Sequence, residues 1–258
     1  MCETCGCNLT EGNRHIAEKR HAHGGATALD VLHELMSEND RQAAHNREHL
    51  DRHGVFAVNL MSSPGAGKTT LLEATIEALG GGLRIGVIEG DLETEKDADR
   101  IRAHGVPVVQ ITTGTACHLD AYLVHDALHA LDLDSIDLLM IENVGNLVCP
   151  ASFDLGQHRN IALLSVTEGD DKPAKYPVMF RAADAMVLSK ADLLDVIDDF
   201  STAAAESALR ALGRDVPVIR TAARRRPQMD GWLAWLREEL AAHRARHAAG
   251  QALAASLA

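Results

Sequence analysis

The sequence predicts a doubly wound α/β fold with a mostly parallel sheet, and three observations predict it. Seven short apolar runs, "VFAVNLM", "LRIGVIE", "VPVVQIT", "IDLLMIEN", "IALLSVTEG", "AMVLSK" and "VPVIRTA", read as strands buried on both faces. Segments of helical period, such as "LDAYLVHDALHAL" and "FSTAAAESALRALG", lie between most of them. Aromatic residues make up only 3% of a chain that is 46% hydrophobic, so Ala, Leu, Val and Ile must fill the core, which favours α/β layers over a β-sandwich.

Each region can then be justified in order. Residues 1–53 hold three of the five cysteines and seven of the fourteen histidines but no strand-like run. Within them, "TALDVLHELMSENDRQAAHNREHLDRHG" carries apolar positions at helical spacing and predicts one or two helices ending near Gly54. Residues 54–240 contain the strand–helix alternation and read as the main domain. Residues 241–258 finish an amphipathic helix that begins at "GWLAWLREEL" and is expected to fray into a tail.

Bulk properties narrow the function. A net charge of −12 argues against nucleic-acid and anionic-membrane partners, which such a surface would repel. No apolar run is long enough to span a bilayer, and the polar, thiol-rich N-terminus lacks the apolar stretch of a signal peptide. The odd cysteine count has no disulfide-framework spacing, so a reducing cytoplasm with thiols free for metal is expected.

The sharpest motif is "VFAVNLMSSPGAGKTTLLEATIEAL", a buried strand that enters a glycine-rich turn and then a helix. Such a loop closes backbone N–H groups around phosphates, so Gly65, Ala66, Gly67, Lys68, Thr69 and Thr70 are nucleotide-binding candidates. Lys68 would bridge the β- and γ-phosphates, and Thr69 would ligate Mg²⁺. Ser62 stands where the general pattern has its first glycine. Late in the chain, "AMVLSKADLL" resembles the guanine-reading N-K-x-D element, with Lys190 and Asp192 in place and Ser189 in the asparagine position. Asp192 could accept from the guanine N1 and N2 donors; a helix-capping aspartate after a strand is the plainer alternative.

Two strand ends deliver carboxylates toward the phosphates. "LRIGVIEGD" supplies Glu89 and Asp91, and "IDLLMIENVGN" supplies Glu142 with Gly145 three residues on, in the manner of a γ-phosphate-sensing switch. Asp91 is assigned to Mg²⁺ or water positioning and Glu142 to second-shell contact with Mg²⁺; with Lys68 they form the candidate catalytic set. Cys117 and His118 in "TTGTACHLDAYL" and Cys149 in "ENVGNLVCP" leave the carboxyl ends of parallel strands, where an open sheet binds ligands. Two thiolates and an imidazole suit Zn²⁺ or Ni²⁺. Separate buried cysteines and a helix-end histidine remain the plainer alternative. Release of the γ-phosphate would move the loop that carries Cys149.

The stretches "SSPGAGKTTLLE", "EGDLETEKDADRI", "TGTACHLDA", "ENVGNLVCP" and "SVTEGDDKPAKYPVMF" together resemble the hydrogenase nickel-incorporation GTPase family (HypB), of the SIMIBI class of P-loop proteins. The resemblance runs from about residue 57 to 235, and Ser62 and Glu142 fit that family as they stand. It implies slow conversion of GTP to GDP, nucleotide-linked homodimerisation and delivery of nickel to the large-subunit precursor of a [NiFe] hydrogenase. It also implies a zinc-containing partner, HypA, and metal ligands at Cys117, His118 and Cys149. Some members begin C-x-x-C-G-C as a tight nickel site, which Cys2, Cys5 and Cys7 match. Removal of Met1 would free the Cys2 α-amine to join the three thiolates as a fourth N/S donor, a set suited to square-planar Ni²⁺, while Zn²⁺ would take the thiolates tetrahedrally.

His45, His49 and His53 recur every fourth residue on one helical face, which reads as a solvated surface that could hold metal weakly. Two alternatives to the main reading remain: a related GTPase metallochaperone serving urease or another metalloenzyme, and a P-loop kinase with a structural zinc.

Overall fold

A computed structural model describes residues 28–92, 95–114, 116–224 and 228–257. Cys2, Cys5 and Cys7 lie outside these residues. The chain enters through one long helix, α1 (Ala28–His53), ended by Gly54 at φ +67°. The left-handed turn at that glycine releases the backbone into β1 (Phe56–Met61). There follow α2 (Lys68–Leu79), β2 (Ile85–Asp91), α3 (Lys96–Arg102), β3 (Val108–Thr112), α4 (Ala121–His129) and β4 (Leu138–Glu142). The second half adds β5 (Arg159–Ser165), the short helices α5 (Lys172–Lys175) and α6 (Pro177–Ala182), β6 (Ala185–Ser189), α7 (Thr202–Ala211), β7 (Val218–Arg220) and α8 (Asp230–Leu257).

All seven apolar runs form strands of one sheet, in the order β3-β2-β4-β1-β5-β6-β7. Every pairing is parallel. Parallel neighbours require crossovers, and the helices that make them cover both faces, so β1 and β4 are buried at every residue. On one face Phe56, Val58 and Leu60 pack with α2 and with Trp232 and Leu236 of α8. Trp232 is fully buried, and its indole N–H donates to Thr75 Oγ1 at 2.9 Å, which ties α8 to α2. On the other face Ala57, Ile88, Leu139 and Ile141 meet α1 and α4. α8 continues to Leu257, through the last residues expected to fray into a tail, as its alanine-rich sequence favours helix.

Helix α1 docks through buried amides as well as apolar contact. Asn39 Oδ1 accepts from the Ala121 N–H at 2.9 Å, while Asn46 Nδ2 donates to the carbonyls of Ala121 (2.7 Å) and Leu155 (3.1 Å). A Cβ at Gly156, which sits at φ +93°, would lie 2.6 Å from the Asn46 Cβ, so only glycine lets the loop approach so closely. These contacts fix which face of α1 meets α4 and thereby set the frame of the loop at Cys117 and His118.

Candidate nucleotide and metal sites

The phosphate loop connects β1 to α2, and Gly65 (φ +75°) and Gly67 (φ +100°) take the left-handed conformations that turn it. Lys68 is buried, and its Nζ donates to Ser62 Oγ at 3.0 Å. Burial pushes the Lys68 ammonium below the usual lysine range, against the pull of Glu142 and other carboxylates. The hydroxyl that replaces the motif's first glycine therefore serves as a partner for the lysine. On its far side the loop is tied to the segment after β5, where Ser63 Oγ donates to Glu168.

Strand register builds the acidic wall. Glu142, the last residue of β4, pairs with Leu60 of β1 on one side and with Glu89 of β2 on the other. Glu142 Oε1 accepts from the Thr69 hydroxyl at 2.9 Å. Glu142 Oε2 and Glu89 Oε2 are both buried with no hydrogen-bond partner. Burial, reinforced by the neighbouring Glu142 and Asp91, pushes Glu89 up to about 8. Glu142 is pushed up to about 7, again mainly by burial, although Lys68 and Thr69 pull it down. Two adjacent buried carboxylates with partnerless oxygens are hard donors, and beside a phosphate loop they fit Mg²⁺. Both line a cleft of about 500 Å³ together with Lys68, Thr69, Asp91 and Gly145. Gly145 is required there, since a Cβ would lie 2.9 Å from Pro64 Cα.

A second cavity of about 300 Å³ adjoins the loop and is lined by Ala66, Gly67, Thr70, Ser189, Lys190 and Asp192 among others. Ser189 is buried and donates to the Ala66 carbonyl at 2.6 Å; Lys190 Nζ donates to the Gly65 carbonyl at 2.9 Å. Lys190 stands at φ +54°, the one non-glycine residue with positive φ among the described residues. That conformation is uncommon for a residue with a side chain and marks a constrained site. The serine in the asparagine position thus ties the end of β6 to the phosphate loop with its hydroxyl.

The sulfur and imidazole residues also converge. One ligand atom from each of Cys117, His118 and Cys149 lies within 4.8 Å of the others. Neither cysteine is in a disulfide, and both are half-buried. His118 is fully buried, stacks on Phe153 with centroids 4.0 Å apart, and has no hydrogen-bond partner on either ring nitrogen. Burial pushes it down to about 4, so it is neutral at physiological pH and keeps a lone pair for a metal. Two thiols and a neutral imidazole form a soft-to-borderline donor set that fits Zn²⁺ or Ni²⁺.

Asn143, which sequence reasoning missed, joins the two centres. Directly after Glu142, its buried Oδ1 accepts from the backbone N–H of Leu119, next to His118, at 3.2 Å, and from Val144 N–H at 3.0 Å. Its Nδ2 donates to Asn59 Oδ1 of β1, and Asn59 in turn donates to Asn160 of β5. The one signal available in the sequence was a polar amide at the end of an otherwise apolar strand. Glu89 was visible but passed over in favour of Asp91, which lies at the half-exposed end of β2.

The histidine face of α1 is solvated at His45 and His53, as expected, and departs from that at His49. His49 is half-buried and its ring lies 5.2 Å from that of His129 on α4; the His45 ring lies 5.3 Å from that of His125. Burial first, then the neighbouring His53 and Arg52, hold His49 below the usual imidazole range; burial and His129 do the same to His125.

Known proteins similar to this chain form a coherent group. The family described as "CobW/HypB/UreG, nucleotide-binding domain" matches residues 56–220. The hydrogenase maturation factor HypB of Azotobacter vinelandii is 50% identical over 232 residues, covering 88% of this chain and 76% of the relative. A crystal structure of HypB from Helicobacter pylori in complex with nickel superposes with a TM-score of 0.75 at 42% identity, covering 79% of this chain and 95% of that one. HypB from Archaeoglobus fulgidus gives a TM-score of 0.73 at 38% identity, with 79% and 99% covered. With its seven-stranded parallel sheet, its phosphate loop and these likenesses, the chain belongs to the HypB family of hydrogenase maturation factors, within the CobW/HypB/UreG nucleotide-binding group.

Proposed function

We propose that this chain is a GTP-operated switch that holds nickel at Cys117, His118 and Cys149 and releases it during maturation of a [NiFe] hydrogenase. As a HypB-family maturation factor it is a nickel-handling GTPase. The residue roles follow from chemistry. Backbone N–H groups of Gly65 to Thr70 would cradle the phosphates, and Lys68 would leave Ser62 to neutralise the β- and γ-oxygens. Thr69, Glu142 and Glu89 would hold Mg²⁺, with Asp91 positioning water at the cleft mouth; the ion would neutralise charge on the transferring phosphate. Asp192 would accept from guanine, while Ser189 and Lys190 hold the loop beneath it.

The observation that carries the reading is the bonded path from Glu142 through Asn143 to Leu119, beside His118. Cys149 lies farther along the loop that follows Glu142, so a change in the carboxylate's hold on Thr69 would shift metal ligands on both sides of Asn143. Nickel is cargo in this scheme, and the same donors would accept Zn²⁺. The cytoplasmic setting, the homodimer, the zinc-containing partner HypA and a nickel store at Cys2, Cys5 and Cys7 belong to the same proposal.

The test is turnover and transfer by the full chain. Slow Mg²⁺-dependent phosphate release from GTP over ATP, with ⁶³Ni passing to an apo large-subunit precursor only when GTP is supplied, is the expected result. Preference for ATP with phosphate passed to an acceptor would replace this reading with that of a kinase.

A further inference from the structure

The histidines of α1 and α4 are brought together by packing alone and are used by neither centre described above. His125 and His129 lie one turn apart on α4, with Nε2 atoms 3.2 Å from each other and rings nearly perpendicular at 88°. Two nitrogens each about 2.05 Å from one ion would be separated by about 2.9 Å at a right angle and about 3.3 Å at the tetrahedral angle. The observed separation falls between those bites.

The tautomer of His125 also suits a ligand. Asn46 Nδ2 is committed to the Ala121 and Leu155 carbonyls, so its Oδ1 faces His125 Nδ1 at 3.2 Å and must accept from it. The imidazole proton is thereby held on Nδ1 and the lone pair is left on Nε2, the arrangement that outer-shell partners impose on metal-bound histidines. His49, whose ring lies 5.2 Å from that of His129, has a buried Nδ1 with no partner. His53 is taken by Asp134, 2.7 Å from its Nδ1.

Elsewhere, Asp51, His158 and His243 gather ligand atoms within 4.8 Å of one another but fail the same tautomer test. There the Ala57 N–H donates to His158 Nδ1 at 2.9 Å, so the proton sits on Nε2, where it faces Asp51.

We propose that His125 and His129 form an imidazole chelate for a borderline divalent cation such as Ni²⁺ or Zn²⁺, oriented by Asn46 and separate from the thiol cluster, with His49 the next imidazole along the α1 face. The pair occupies the second half of α4, a helix that begins three residues after His118 and ends at His129, so a cation held there is spaced from the thiol cluster along that helix. The inference rests on α1–α4 geometry and stands whether or not the nucleotide reading is correct.

The experiment counts bound ions on the reduced full chain by equilibrium dialysis, first against Ni²⁺ alone and then against Zn²⁺ alone. The parent is compared with His125→Gln/His129→Gln, with His129→Gln, and with His33→Gln, an exposed position farther up α1. Sulfur-to-nickel absorption reports the thiol sites, and circular dichroism reports helix content. The double variant should bind one equivalent fewer, with sulfur-to-nickel absorption unchanged. His129→Gln should weaken that equivalent by no less than the roughly 10–100-fold that loss of an outer-shell partner costs. His33→Gln should match the parent. An unchanged count in the double variant, a lost equivalent that takes the sulfur absorption with it, or an equal loss in His33→Gln would each overturn the proposal.

Discussion

The acidic cleft and the thiol cluster lie on opposite sides of Asn143, and they are built in different ways. Glu89 and Glu142 sit inside strands, held opposite each other by the parallel register of β2 and β4. Cys117 and Cys149 sit in loops after different strands, Cys149 at the start of a 3₁₀ turn. One centre offers buried hard oxygens, the other half-buried sulfur and a buried imidazole. Donor chemistry therefore sorts Mg²⁺ from a softer cargo without any gate between them. The rigid centre suits sensing the phosphate, and the loop-borne one suits letting go.

The largest expected effect tests the rigid side. Lys68→Ala removes the one buried cation of the phosphate loop and should lower phosphate release from GTP by at least about 100-fold, by analogy with loss of a preorganised donor to a developing charge. Single-turnover hydrolysis checks it, and a loss of less than tenfold would show that Lys68 is not the phosphate ligand. On the loop side, Cys149→Ser should weaken nickel at the thiol cluster by no less than roughly 10–100-fold, read as loss of sulfur-to-nickel absorption. If each variant harmed hydrolysis and metal equally, the separation of the two centres would be wrong.

The pH response should separate the centres by sign. Glu89, at about 8 when folded against its ordinary 4.5, ionises first in the unfolded chain, so apo stability falls as pH rises from about 4.5 to 8. His118, at about 4 against 6.5, does the opposite: the unfolded chain takes the proton first, and stability falls as pH drops from about 6.5 to 4. Glu89→Gln should therefore raise the apo Tm at pH 8, by roughly 2–4 °C for each kcal/mol of relieved penalty, and should flatten the decline above pH 5. Melting curves of parent and variant across that range decide the matter, and a Tm difference between them that does not grow from pH 5 to 8 would contradict the assignment. The smallest effect belongs to Ser189→Ala, which loses one buried hydrogen bond to Ala66 and should raise the KM for GTP about 3–10-fold. An unchanged KM would make Ser189 a bystander.

Most of the architecture was legible because strands buried on both faces leave unbroken apolar runs, and all seven became strands. The phosphate loop was legible because strand, glycine turn and helix are contiguous. What could not be read depended on contact between distant segments. Ser62 departs from the general phosphate-loop pattern and Ser189 from the guanine element, and only the fold shows Lys68 beside one and the Ala66 carbonyl beside the other. The fourfold spacing of His45, His49 and His53 gave them one face but could not say that Asn39 and Asn46 would turn part of it toward α4. Asn143 was silent for the same reason, since its partner Leu119 is 24 residues away.

The central claim is that nucleotide state reaches the thiol cluster through Asn143. Nickel would be titrated into the full chain carrying Cys2→Ser, Cys5→Ser and Cys7→Ser, with Mg²⁺ and either GDP or a non-hydrolysable GTP analogue, following sulfur-to-nickel absorption. The account predicts affinities that differ between the two nucleotides by about 5–150-fold and a difference that collapses in Asn143→Ser. Equal affinity in both nucleotide states, with both nucleotides bound, would contradict it.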